Sequence, residues 1–224
     1  FNDGFGNPTA GENLQKAVKH LDVEKRTISG DWREAKDLKL CCIKASTPDL
    51  TLPTDIGLTA ALYGVAAKEN VQTIFVGHSF RTEGLAPLEW TYLDGHYLHA
   101  IQKQFGKVPL RPWKADDPGF HLNWHHLFYY SVIRRIRLIT PYYWMEYTRS
   151  DVDKILKSEL DWVYPGAHYY DDLYQSILTY VLRTKFNIDR RISNYSALVR
   201  SGQMSRSRAL ERLQEIYVVE DPKV

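Results

Sequence analysis

The sequence predicts an α/β protein: an open, mostly parallel sheet in its first part and an all-helical region in its last third. Three observations carry this. Asp55 to Lys68 is almost wholly small or apolar, Val71 to Val76 is a short apolar run, and Gly77 to Gly84 is a glycine-bounded polar loop. A buried helix, a buried strand and then a polar loop is how an open α/β sheet presents a ligand site at a strand's carboxyl end. Phe1 to Pro8 reads as the end of another strand running into a loop, so earlier strands are expected upstream of Phe1. Beyond Ser150, apolar residues recur at helical spacing to the end of the chain.

Taken in order, Thr9 to Leu21 carries the stripe Leu14, Ala17, Val18, Leu21 and predicts a helix. Arg26 to Ile28 reads as a short strand. Asp31 caps a helix through about Ala45, with Trp32, Ala35, Leu38, Cys42 and Ile43 inward. A loop with two prolines leads to the buried helix, capped by Thr54 or Asp55. Leu93 to Phe105 is predicted helical, Pro109 to Gly119 a connector, and Leu122 to Ile133 a further helix. Ile136 to Ile139 reads as an edge strand ended by Pro141. Ser150 opens a helix through Leu160, and others cover Leu173 to Leu182 and Ile192 to Val199. Gly202 ends that third helix, and Ser205 caps a last one with Ala209, Leu210, Leu213 and Ile216 inward. Domains are expected at 1–110 (α/β, nucleotide-binding) and 111–224 (mainly helical, substrate or partner).

Composition sets the function classes. Hydrophobic residues make up 44% of the 224 and charged residues 25%, ordinary for a globular protein. A net charge of +2 argues against a nucleic-acid or membrane surface bias. No apolar run is long enough to span a membrane. The only cysteines, Cys41 and Cys42, are adjacent on a predicted helix and point about 100° apart, so they do not pair with one another. Without a CxxC pair this chain builds no cysteine zinc site, and a reducing, cytoplasmic setting is expected. Fifteen Tyr and six Trp suit either an aromatic core or a cleft that stacks a sugar or base.

The loop Gly77-His78-Ser79-Phe80-Arg81-Thr82-Glu83-Gly84 concentrates the chemistry. Backbone N–H groups beside Gly77 can approach phosphate oxygens. Glu83 suits Mg²⁺, a hard cation that prefers oxygen ligands, and Arg81 can neutralise phosphate charge. Alternatively Arg81 and Glu83 simply pair at the surface. His78 can hydrogen-bond a phosphate or a substrate oxygen. Asp3 and Gly4 lie where another strand ends and either contact a nucleotide or form an Asx turn. His121 and His125 would share a helix face, but no carboxylate completes a metal motif. Arg134, Arg135 and Arg137 form one basic cluster; Arg190, Arg191, Arg200, Arg206, Arg208 and Arg212 form another. Each is either a solvated helix face or a grip on a nucleotide-sugar diphosphate or tRNA. No nucleophile motif is present.

These segments together resemble the N-acetyl sugar amidotransferases of bacterial surface-polysaccharide biosynthesis, in the PP-loop ATP pyrophosphatase group. The resemblance rests on Asp3-Gly4-Phe5, on Lys44 to Leu50 with Pro53-Thr54-Asp55, on Gly77 to Gly84, and on Trp90 to Gly95. It continues through Pro141-Tyr142-Tyr143, Glu146-Tyr147, Glu159 to Trp162, Lys185 to Arg191, and Ser201 to Arg206 with Ala209-Leu210. It implies a PP-loop ATPase (adenine nucleotide α-hydrolase-like) sheet lacking, in these residues, its first strand and the Ser-Gly-Gly-x-Asp-Ser loop. The cysteine pairs that bind zinc in many members are also missing here. It further implies ATP and Mg²⁺ as cofactors, adenylation of a substrate oxygen, and displacement of AMP by ammonia from a partner glutaminase. The product would be an amide or acetamidino group on a nucleotide-linked or glycan sugar, as in O-antigen. Implied catalytic residues are Arg81 and Glu83, the latter also the metal ligand. Asp3, Gly4, Gly77, His78, Ser79 and Thr82 would bind the cofactor. Asp55, Trp90, Tyr92, Asp94 and His168 would bind the substrate. Where the family usually has a His-Glu pair, this chain has a Tyr after His168. The alternatives are a PP-loop enzyme of tRNA modification and a non-catalytic subunit that docks a glutaminase.

Overall fold

The computed structural model describes residues 1–84, 93–164 and 172–215. The chain folds as two compact units that interleave along the sequence. One holds Phe1–Gly4, Thr27–Val76 and Pro87–Thr140; the other holds Phe5–Arg26, Gly77–Ala86 and Pro141–Val224.

In the first unit, helix α2 (Trp32–Ala45) is the organising element. Asp31 caps it, accepting from the backbone N–H groups of Arg33 and Glu34. Its buried face is Ala35, Leu38, Cys41 and Cys42. Trp32, expected inward, is instead 45% exposed. Two buried carboxylates on α2 hold the irregular connector that follows α4 (Gly95–Phe105). Asp37 Oδ2 accepts from Lys107 N (2.8 Å) and Val108 N (3.0 Å), and Glu34 Oε1 accepts from Arg111 N (2.6 Å). A proline-rich segment with few partners of its own thus gains them from a neighbouring helix.

Helix α3 spans Leu52–Lys68, three residues earlier than expected. Its N-cap is Thr51, because Pro53 fits the first turn, where no N–H is needed. Thr54 therefore lies inside the helix and is not its cap. Ile56, Ala60 and Tyr63 are buried on α3, and Tyr63 stacks on Tyr130 at 5.1 Å between ring centroids. The following strand β1 is only Thr73–Phe75, with Ile74 buried and Phe75 69% exposed, so the expected buried strand is half-covered. It pairs in parallel with β2 (Arg137–Ile139), in the register Thr73↔Arg137. An isolated parallel bridge joins Asn2 to Ser29, where a strand at Arg26 to Ile28 was expected. These are the only strand pairings of this unit among the described residues.

The helix expected over Leu122 to Ile133 is α5 (Trp124–Phe128) followed by a π turn, Tyr129–Ile133. Asn123 and His126 form a reciprocal capping box that sets the start of α5. Arg134 then donates from Nη2 to the carbonyl of Ala67, capping the end of α3. One member of the first basic cluster is thereby a helix cap.

In the second unit, α1 (Pro8–Leu21) packs on α6 (Arg149–Leu160). The side chain α1 buries is Asn13, whereas Leu14 and Leu21 of the expected stripe are 47% and 63% exposed. Asn13 donates to Val163 O (2.7 Å) and accepts from Val163 N (3.1 Å), pairing like a strand residue with the segment after α6. Helix α6 is capped by Thr148, two residues before the expected Ser150, its Oγ1 accepting from Asp151 N. Helices α7 (Tyr174–Phe186), α8 (Arg190–Arg200) and α9 (Arg206–Gln214) follow, with Ser205 capping α9 as expected. The turn between α8 and α9 uses Gly202 at φ +73°, a conformation that costs glycine least.

Candidate functional site

The loop after β1 is built on an internal turn. Ser79 is buried; its Oγ accepts from Arg81 N (3.2 Å) and its carbonyl from Glu83 N (2.9 Å). Two backbone donors of the loop are thus spent inside it. Nothing among the described residues crowds a Cβ placed at Gly77, so its backbone faces open space. The turn leaves His78 and Glu83 side by side, with His78 Nδ1 at 3.2 Å from Glu83 Oε2. His78 is 74% exposed at its side chain and Glu83 31%. The expected surface pairing of Glu83 exists, but its partner is His78 and not Arg81.

Arg81 instead lays its guanidinium over the ring of Phe80, 5.1 Å from the centroid. Its Nε is buried and has no hydrogen-bond partner among the described residues. The loop is anchored at three further points. Ser201 Oγ donates to Arg81 O (2.8 Å), Thr82 Oγ1 lies 3.0 Å from Tyr147 Oη, and Phe80 packs on Tyr143 at 5.5 Å. Gly84 lies so close to Ser193 that any Cβ would collide with it. Helix α8 and the turn after it, together with residues 141–147, therefore form the wall against which this loop is set. Tyr147 and Ser201 entered the sequence reading only within motifs of the resemblance, with no role, and Ser193 was not singled out, since nothing in a helix face or a Tyr-rich segment marks which loop it will meet.

The other expected site residues lie in the first unit. Gly4 has φ +91° and sits against the Trp32 ring, and its N–H binds Asn2 Oδ1 (2.9 Å), which is the Asx turn. Asp3 is buried. Its Oδ2 is 2.9 Å from Lys39 Nζ and accepts from Thr54 Oγ1 (2.8 Å), while Lys39 Nζ also reaches Thr54 Oγ1 (2.8 Å). Lys39 is 2% exposed at its side chain, so this is a closed ion pair tying the first residues to α2 and α3. Asp55 Oδ2 lies 3.0 Å from the Thr51 hydroxyl, within the first turn of α3. Asp94 caps α4 by accepting from His96 N (2.7 Å). Trp90, Tyr92 and His168 lie outside the described residues.

Among the described residues, no group of three or more His, Cys, Asp or Glu is placed to hold a metal. His121 precedes α5, so it does not share a helix face with His125. His126 stacks on Trp113 at 4.6 Å and its Nδ1 lies 2.7 Å from His121 O; burial lowers its pKa. Cys41 and Cys42 are free and buried, and burial pushes the Cys42 thiol up to about 12. Among the described residues no helix is long and apolar enough to cross a membrane.

No curated protein and no solved structure matches this chain. A protein-family model does match residues 166–222, which take in α7, α8 and α9. The matched segment, which includes helix α8 and the turn that anchor the Gly77–Gly84 loop, is therefore similar to the family described as LPS biosynthesis protein WbpG-like, C-terminal domain, a match that links this chain to lipopolysaccharide biosynthesis.

Proposed function

We propose that this chain is part of an ATP-dependent amidotransferase that modifies a sugar in lipopolysaccharide or O-antigen biosynthesis, on a sheet of PP-loop ATPase type. The observation that carries the reading is the match of residues 166–222 to a lipopolysaccharide-biosynthesis domain, whose helix α8 and the turn after it border the polar loop. The unsatisfied, buried Nε of Arg81 fits a ligand that brings an anionic oxygen. A single carboxylate, Glu83, fits Mg²⁺ held chiefly by phosphate and water oxygens.

In this reading ATP with Mg²⁺ supplies activation of a substrate oxygen as an adenylate. Arg81, steadied by Phe80 and Ser201, sets a fixed positive charge where anionic oxygens gather. Glu83 supplies the carboxylate and fixes the orientation of His78. Ser79 and Thr82 hold the loop's shape through Arg81 N and Tyr147. Preorganised charge and positioning, and no protein nucleophile, are what such a transfer needs. Ammonia would come from a partner glutaminase.

The test is to incubate the protein with ATP, Mg²⁺ and ammonium against a panel of nucleotide-linked acetamido sugars and to follow AMP release. Sugar-dependent AMP release is expected, lost in Glu83→Ala. Release with no sugar in the panel, or wild-type turnover in Glu83→Ala, would overturn the reading. Tight, salt-sensitive tRNA binding would point instead to RNA modification.

A further inference from the structure

Beside the polar loop, three aromatic rings stand open. Trp144 is 74% exposed, Tyr143 51% and Phe80 43%. They are adjacent: Phe80 meets Tyr143 at 5.5 Å and 58°, and Tyr143 meets Trp144 at 6.2 Å and 55°. Their positions are set from behind. Tyr142 packs on Tyr147 at 4.8 Å, Tyr147 binds Thr82, and the N–H groups of Trp144 and Met145 both bind Pro141 O. Exposed aromatics held this firmly, next to polar groups, mark a binding surface.

We infer that Phe80, Tyr143 and Trp144, with the His78–Glu83 pair at their edge, seat the pyranose ring of a nucleotide-linked sugar; this rests on the sugar-amidotransferase reading. A pyranose has a C–H face with positive partial charge, which suits the negative face of an aromatic ring. It also has a rim of hydroxyl and acetamido groups. His78 meets that rim, because Glu83 occupies Nδ1 and leaves Nε2 outward on a side chain that is 74% exposed. Arg81, stacked on Phe80, places a cation beside the same rings, as a sugar phosphate requires.

Two other occupants fit less well. Successive nucleobases of a strand stack on aligned ring faces, and these rings are tilted by 55–58° to one another, so a strand finds no continuous stack. A protein partner prefers a patch whose centre lacks charge, and here the Arg81 guanidinium lies on Phe80 itself, with His78 and Glu83 paired in the same loop.

The experiment is saturation-transfer NMR and titration with UDP-, GDP- and dTDP-linked acetamido sugars, with the free nucleotide diphosphates and ATP as comparators. For a sugar that binds, the ring protons are expected to saturate most strongly. Trp144→Ala is expected to weaken that sugar by about tenfold and to leave the free diphosphate unchanged. Trp144 is exposed, so its removal should not unfold the chain; far-ultraviolet circular dichroism checks this. No ring-proton saturation across the panel, or equal sugar affinity in Trp144→Ala, overturns the proposal. So does loss of single-stranded RNA binding in that variant with sugar affinity intact. If AMP release fails while sugar binding still depends on Trp144, the ring seat stands and the amidotransferase reading falls. If AMP release persists with unchanged KM in Trp144→Ala, the ring seat falls alone.

Discussion

Replacing Asp189 tests the joint on which the last two helices depend. Asp189 is the N-cap of α8, accepting from Arg191 N (3.0 Å), and the same carboxylate receives Nε (3.1 Å) and Nη2 (2.8 Å) of Arg191. Both side chains are under a tenth exposed. The far side of the guanidinium donates to the carbonyls of Arg212, Leu213 and Glu215, capping the end of α9. One ion pair thus closes the start of one helix and the end of the next. Asp189→Ala removes the cap, about 1 kcal/mol, and leaves a buried guanidinium without its main partner, about 3–5 kcal/mol. Asp189→Asn keeps a capping acceptor and loses only the charge, so it should cost about 1 kcal/mol less. Hydrogen exchange resolves this locally. Amides of α8 and α9 should lose about three to four orders of magnitude of protection in Asp189→Ala, while those of α2 keep theirs. Acid gives an independent arm. Burial pushes the Asp189 carboxyl up, but the hydrogen bonds and charge of Arg191 outweigh it and hold it below the usual range. A depressed native pKa contributes stability present above the ordinary Asp value, about 3.9, and lost as pH falls through the lower native value. Unchanged protection in Asp189→Ala would refute the joint; equal loss in the Ala and Asn variants would refute the cap's share.

Lys39→Met removes the cation from the buried Asp3–Thr54 cluster and should destabilise the first unit by about 3–5 kcal/mol, read as lost exchange protection in α2 and α3. Adding Asp3→Asn should recover part of it; no recovery would show that the charge pair is not the cause. Gly84→Ala places a methyl against Ser193 and should displace the loop from α8, lowering sugar-dependent AMP release severalfold with little change in thermal midpoint. Full activity in that variant would mean the loop need not be seated there. Cys41 and Cys42 should both resist iodoacetamide at pH 8 in the native protein and react after unfolding, since both are buried and the Cys42 thiol is held near 12. Native labelling, read by mass spectrometry, would contradict the packing of α2.

Local rules were legible where their partners are local. Asp31 before α2, Ser205 before α9 and Gly202 after α8 act within one turn of chain, and each does what its residue type implies. The cap of α3 was misplaced by a rule of the same range, because Pro53 and Thr54 compete for the first turn. The stripe on α1 failed for a different reason. Its buried residue is an amide whose partner, Val163, is 150 positions away, so apolar periodicity could not reveal it. The same holds for the site. The sequence by itself determined that a loop rich in His, Ser, Arg and Glu follows a strand, and it supplied the residues of the aromatic segment at 142–147. Only the tertiary structure decided that Glu83 pairs with His78, that Arg81 lies on Phe80 with an unsatisfied Nε, and that Asp3 is closed off by Lys39. The reason is physical: residue type sets what a side chain can bond, but burial and distance select which bond it makes, and both depend on segments far apart in the chain.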